Sequence, residues 1–254
     1  MEYEEIVNKI ISEFEKITSK PCYEISFIEN SHPDILDDKI GGEPYLPEGE
    51  EYPKDDKGNN LGLLFQINLK QIDLENFPKK GILEIFTDIE NEYPPKYKIK
   101  YFEEGKNYQK NLPEIDNSQY IISKPKLISV KKTNDYMLPS NYLYNENLIK
   151  AVENITGEKY ENIYEIEQKF NFEFEESLIK EIKEISASIG GYPDFIQEDI
   201  RPNLNGKDEC LFKLDSNLCD DINIGNSGIL FVFISEDSLK KCNFDDAIVD
   251  WDSV

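Results

Sequence analysis

The sequence predicts an α+β protein, a single globular domain of two related strand-rich halves about a pseudo-twofold axis, with helices at the N-terminus and in the middle. Three recurrences within the 254 residues carry that expectation. GILEIF at residues 81–86 returns as GILFVF at 228–233, and LFQIN at 64–68 returns as LFKLD at 211–215, both at a separation of 147 residues. Gly41-Gly42-Glu43-Pro44 returns as Gly190-Gly191-Tyr192-Pro193, 149 residues on, so the two copies differ by two residues of loop. Self-similarity at a near-constant separation marks a repeated structural unit, and two copies are too few for a solenoid. The units fall at about 22–110 and about 171–254 of one domain spanning 1–254, with no low-complexity linker between them.

Taken in order, the chain opens on an amphipathic helix: Ile6, Ile10, Phe14 and Ile17 recur at helical spacing, and Lys20-Pro21 ends the run. Tyr23 to Ile28 reads as a short strand, followed by a polar loop holding His32. Residues 41–60 are rich in Gly, Pro, Asp and Glu and read as ordered loop. Leu63 to Asn68 and Ile82 to Phe86 read as strands, Tyr97 to Phe102 alternates weakly, and Tyr120 to Val130 reads as a strand pair interrupted at Pro125. From Tyr142 to Ile189 the pattern is helical, with Leu178, Ile182, Ile185 and Ile189 on one face and Gly190-Gly191 as the stop. Phe195 to Gln197, Leu211 to Leu214 and Ile229 to Ile234 then read as strands, and the tail from Phe244 carries the single Trp, Trp251.

Charge narrows the partners. With 52 Asp and Glu against 28 Lys and Arg, the formal net charge is −24. Such a surface repels nucleic acid and anionic membranes, whose binding draws on Lys and Arg. Neither is expected as a partner; a basic protein is. No run approaches the roughly 18 apolar residues that span a bilayer, and MEYEEIVNKIISEFEK places acids where a signal peptide is basic, so a cytoplasmic location is expected. Cys22, Cys210, Cys219 and Cys242 form no CxxC and are expected as free thiols.

The chemical inventory points away from catalysis. The one histidine, His32, precedes a proline in an acidic loop, where a surface position is the simpler reading than general acid or base. No G-x-S-x-G elbow, H-E-x-x-H pair or phosphate-binding Walker loop occurs, and no cofactor is expected. Asp208, Glu209, Asp215, Asp220, Asp221 and Asn223 are rich in oxygen but lack EF-hand spacing, which leaves a loose cation site or a solvated acidic loop, and no metal site is assigned. Each Gly-Gly pair runs into x-Pro rather than a helix N-terminus, which fits a turn better than a phosphate cradle.

GGEPYLP at 41–47, LLFQINL at 63–69, GILEIF at 81–86, GGYPDFIQEDIR at 190–201, LFKLDSN at 211–217 and INIGNSGILFVFI at 222–234 together resemble the YwqG-like family of bacterial proteins, built on a domain of unknown function. The resemblance runs from about residue 20 to the end. It implies a cytoplasmic α+β protein with two related halves and supplies no mechanism. Where family members tend to carry Trp before the proline of the first loop, this chain has Tyr52-Pro53; where they tend to read Trp-Gly-Asp, it has Ile224-Gly225-Asn226. Those two departures weaken a family binding site if one is built on that Trp and Asp.

The candidate ligand- or partner-binding residues lie in and beside the repeated strands. Alternation puts Gln66 and Asn68 on one face, opposite Phe65 and Ile67, and does the same for Lys213 and Asp215. If that face turns to the axis, two polar pairs converge in a cleft, joined by Gln197, Asp199 and Arg201. Alternatively an Asn or Asp ending a strand caps the following turn or helix, and Asn68 stands three residues before Gln71 as in a capping box. Three functions follow. The leading one is a non-enzymatic acidic binding protein for a basic partner, an immunity or antitoxin protein being one concrete form. A small-ligand binder or hydrolase-type enzyme using a polar cleft between the halves is the alternative, and a structural module without a pocket the third.

Overall fold

A computed structural model of the chain describes residues 3–88, 93–103, 106–113, 115, 120–170 and 173–254. In chain order the elements are α1 (Tyr3–Thr18), β1 (Lys20–Ile28), β2 (Lys39–Ile40), β3 (Gly62–Asn68), β4 (Ile82–Thr87), β5 (Tyr97–Phe102), β6 (Lys126–Asp135), α2 (Tyr144–Thr156), α3 (Ile163–Phe170), α4 (Glu173–Glu181), β7 (Ala187–Gly190), β8 (Glu209–Asp215), β9 (Ile229–Ile234), α5 (Glu236–Lys240) and β10 (Ile248–Asp252). The ten strands form one antiparallel sheet in the order β10-β9-β8-β7-β1-β6-β2-β3-β4-β5. The fold is α+β, as the sequence predicts.

The repeated motifs have specific structural jobs. In β3 the pairing with β4 slips between Leu63 and Phe65, and in β8 the pairing with β9 slips between Cys210 and Phe212. The extra residue of each bulge is the Leu of the L-F pair, so Leu64 and Phe65, like Leu211 and Phe212, both enter the main core. Gly41, Gly42, Gly190 and Gly191 all adopt positive φ, which L side chains rarely tolerate. A Cβ on Gly41 would come within 2.8 Å of Ile122, and one on Gly190 within 2.8 Å of Leu74. These pairs are turns off β2 and β7. β4 and β9 are buried along all six residues, which is why both read as nearly continuous apolar runs.

The core forms where the inner faces of the two strand sets meet. Phe65 and Phe212, counterparts 147 residues apart, pack with ring centroids 4.3 Å apart amid Ile67, Ile85, Leu214 and Val232. At the open edges, the Tyr97 hydroxyl donates to the Ala247 carbonyl at 3.2 Å, drawing β5 toward the entry to β10. The helices build a second core of their own from Val7, Ile10, Phe14, Leu148, Val152, Ile166, Phe174 and Leu178, with Phe14 edge-on to Tyr144 at 5.3 Å.

Three sequence expectations are corrected, and one short strand has no sequence signal. Ile185 and Ile189 continue the helical spacing of Leu178 and Ile182, yet α4 ends at Glu181 and Ile189 lies in β7. Ala187 and Ile189 also alternate with Ser188, and pairing on both sides with β1 and β8 decides in favour of the strand. Of Tyr120 to Val130, only the part after Pro125 is a strand; Ile122 makes one isolated bridge to Ile222. Phe195 to Gln197 is loop, because its amides turn to a side chain instead of a neighbouring strand. The two-residue β2 was missed, since a pair of residues carries no period.

Candidate functional site

The registers put Gln66, Asn68, Lys213 and Asp215 on the outer faces of the sheet, backing the strands whose other sides form the core. They do not converge between the halves: Phe65 and Phe212 fill that space. Of the two alternatives that the sequence leaves open for these strand ends, the geometry is that of caps. Asn68 and Asp215 behave as caps. The Asn68 side chain accepts from the Lys70 amide at 3.0 Å and Asp215 from the Asn217 amide at 2.7 Å, each opening a single helical turn.

Gln66 belongs to a buried polar row. It lies between Lys39 on β2 and Glu84 on β4, and all three are at most 1% exposed. Its amide nitrogen donates to the carbonyls of Ile35 and Asp37, both at 2.8 Å. The Tyr45 amide donates to Gln66 Oε1 at 2.8 Å and to Glu84 Oε1 at 2.7 Å. The Lys39 ammonium donates to the carbonyls of Asp34 and Ile35 at 2.6 and 2.9 Å. Burial pushes the Glu84 carboxyl well above its ordinary range, and its second oxygen has no partner. Burial also brings Lys39 down to about 8, against the opposing pull of Glu84. These residues staple the loop at 34–37 and the GGEPY turn onto the sheet.

The counterpart row in the second half is built differently. Lys213 lies between Ser188 and Phe231, in the places held in the first half by Lys39 and Glu84. The Lys213 ammonium, 2% exposed, lies in the field of Asp194, whose carboxyl burial pushes up. Asp194 accepts from the Ser140 hydroxyl at 3.1 Å, and Asp135 accepts from the Tyr192 amide at 2.8 Å.

Asp199 and Arg201 serve each other. The guanidinium donates from Nε to Asp199 Oδ1 at 3.0 Å and from a second nitrogen to Oδ2, with the two side chains 3% and 6% exposed. It lies 5.1 Å from the Tyr142 ring centroid and 5.9 Å from that of Phe195. Buried and paired, this couple shapes the 195–201 loop and presents no free charge to a ligand.

Of the sequence-predicted residues, Gln197 alone lines an open site. A cleft of about 600 Å³ lies between the 195–200 loop and β10, lined by Tyr93, Phe195, Gln197, Glu198, Ile200, Phe231, Asp250, Trp251, Asp252 and Ser253. Phe195 packs on Phe231 at 4.9 Å and on Phe233 at 6.0 Å, and Tyr93 stands edge-on to Trp251 at 5.4 Å. The loop is tied to the strand by Asp252, which accepts from the amides of Ile196 at 2.7 Å and Gln197 at 2.8 Å, and by Gln197 Nε2 donating to the Ser253 carbonyl at 2.8 Å. Asp250 accepts from the Trp251 amide at 2.8 Å. Burial raises its carboxyl and the charge of Asp252 adds to the shift. Among the described residues, none of Glu198, Asp250 and Asp252 has an ion-pair partner. Asp250 and Asp252 carry a signal beyond the single Trp between them: the alternation in IVDWD is that of an edge strand with two outward acids. Phe231 was read only as strand core, and Tyr93 carries no local signal at all.

Other candidates find ordinary places. His32 is exposed on the rim of a cleft of about 870 Å³ over the first half, with Glu43, Tyr52 and Lys110. Asp221, from the acidic segment, pairs with Lys124 at 3.0 Å and Lys126 at 2.9 Å. Among the described residues no three His, Cys, Asp or Glu side chains come together as a metal ion would require. No helix among them is long and apolar enough to cross a membrane. Cys22, Cys210, Cys219 and Cys242 are unbridged.

No curated protein matches the chain. The family model for a domain of unknown function, DUF1963, matches residues 38–253, which take in β2 to β10, both Gly-Gly turns and the residues that line the cleft, and the chain therefore belongs to the DUF1963 family.

Proposed function

We propose that this protein is a YwqG-like, cytoplasmic, bacterial member of that family that acts without catalysis, binding a basic protein partner through its acidic surface; an immunity or antitoxin pairing is a concrete form. One observation carries the reading: at the cleft beside β10, three carboxylates without cationic partners among the described residues stand beside aromatic side chains. A net charge of −24 draws a basic partner from a distance and raises its association rate. A desolvated aromatic patch supplies the residence time that exposed charges alone do not. A ligand site between the two halves, the alternative, has no room where Phe65 meets Phe212.

The halves themselves are read as a duplication about a twofold axis. Its support is the matching bulges, the matching Gly-Gly turns and a strand order in which β10-β9-β8-β7-β1 mirrors β5-β4-β3-β2-β6. The functional reading is tested by capturing proteins from the native host's lysate on immobilised wild-type protein, with washes at low and high salt and identification by mass spectrometry. A basic protein held at low salt and released at high salt is the expected result. Partners that are acidic, or retention indifferent to salt, would contradict it.

A further inference from the structure

We infer that the cleft beside β10 is a seat for an arginine side chain of the partner, its guanidinium lying against Tyr93 and Trp251 and held by Asp250 and Glu198. This rests on the reading that the partner is basic, and it names the group recognised.

Four features lead there. The rim carries negative charge that no described cation pairs with, so the occupant is a cation. The wall is aromatic, and a cation placed over aromatic faces gains the attraction of their quadrupoles, more so once water is displaced. The volume, about 600 Å³, holds a long side chain together with flanking backbone, within the usual span of binding pockets. Finally, the protein already builds this arrangement once on the same aromatic cluster: Arg201 lies over Phe195 and Tyr142 while Asp199 grips it from two sides. Phe195 joins that internal seat to the cleft by packing on Phe231. Between the two basic side chains, the planar, weakly hydrated guanidinium suits stacking and a forked carboxylate contact, where an ammonium offers only a point charge.

Trp251 is the single tryptophan and lines the cleft, so its fluorescence reports this site alone. The probes are N-acetyl-Gly-Arg-Gly-amide and its lysine and citrulline counterparts, titrated into the full chain at low salt. The arginine peptide is expected to give a saturable change, the lysine peptide a several-fold weaker one and the neutral citrulline peptide none. Asp250→Asn with Glu198→Gln, checked for an unchanged circular dichroism spectrum, is expected to weaken arginine binding by about tenfold, the scale of losing a charge-assisted contact. Equal binding of citrulline and arginine, or no change in the double variant, would overturn the inference. The two readings fail separately. A salt-sensitive basic partner captured equally by wild type and double variant removes the arginine seat and leaves the acidic binding protein. Arginine bound at Trp251 with no basic partner captured removes the partner reading and leaves the seat.

Discussion

The strand pairs β3–β4 and β8–β9 share a register and a bulge, and differ on their outer faces. In the first, Lys39, Gln66 and Glu84 form a buried polar row bonded to the loops above it. In the second, Ser188, Lys213 and Phe231 occupy those places. The exchange of Glu84 for Phe231 matters most. A carboxylate that grips the Tyr45 amide becomes a buried ring that packs on Phe195 and backs an open cleft. Tyr45 itself, 1% exposed, closes its own half by packing edge-on to Phe102 at 6.1 Å. One backbone frame thus supports a sealed face and a receptive one, and the difference lies in a few outward positions that leave the inner core untouched.

The largest effects should come from what the halves share. Phe65→Ala and Phe212→Ala each remove a fully buried ring and are expected to cost about 3–5 kcal/mol in chemical denaturation. Because the rings touch, the double variant should cost less than the sum. Very unequal costs would mean that the two sides of the core are not equivalent. Next comes the sealed face. The folded carboxyl of Glu84 titrates well above 4.5, so its contribution to stability is full below that value and is lost as pH rises through its folded titration. Glu84→Gln should therefore flatten the decline in stability as pH rises above the ordinary carboxyl value of 4.5, with a gain of about 1–3 kcal/mol once the decline is complete. Unchanged pH dependence would place the burden elsewhere, Asp38, Asp194 and Asp250 being half-buried carboxyls also raised chiefly by burial.

Smaller effects belong to the receptive face and to the ion pairs of Asp221. Phe231→Leu keeps an apolar wall but loses two ring contacts, at an expected cost of about 0.5–1.5 kcal/mol, and should weaken peptide binding at Trp251. Between the 122–126 segment and the 219–223 loop, Lys126 and Lys124 hold Asp221 down to about 2, and this stabilisation is lost as pH falls from 3.8 through that value. The Asp221 side chain is 18% exposed and Lys124 is 76% exposed, so solvent screening leaves Asp221→Asn a cost of no more than about 1 kcal/mol at neutral pH.

Much of this frame is legible in the sequence because the shared inner face repeats its residues. GILEIF and GILFVF, LFQIN and LFKLD, and the two Gly-Gly turns mark strands, bulges and turns that recur in the structure. The L-F pair is the bulge itself, though alternation alone reads it as a strand residue too many. β2 and β7 escape because two and four residues are too short for any period, and the sheet imposes their conformation from both sides. The site is harder to read. Gln66, Asn68 and Asp215 were rightly seen as polar residues within or ending strands, but which face turns inward depends on how the sheet curls. Asp199 and Arg201 satisfy each other, and the cleft joins Tyr93, the 195–200 loop and IVDWD, segments brought together only by the closure of β10 toward β5.

The contrast between the two faces is tested most directly by backbone NMR of the full chain as the arginine peptide is added. The account predicts shifts confined to Tyr93, the 195–200 loop, β9 and β10, with Lys39, Tyr45, Gln66 and Glu84 unmoved. Shifts centred on the first-half row, or spread evenly over the acidic surface, would contradict it.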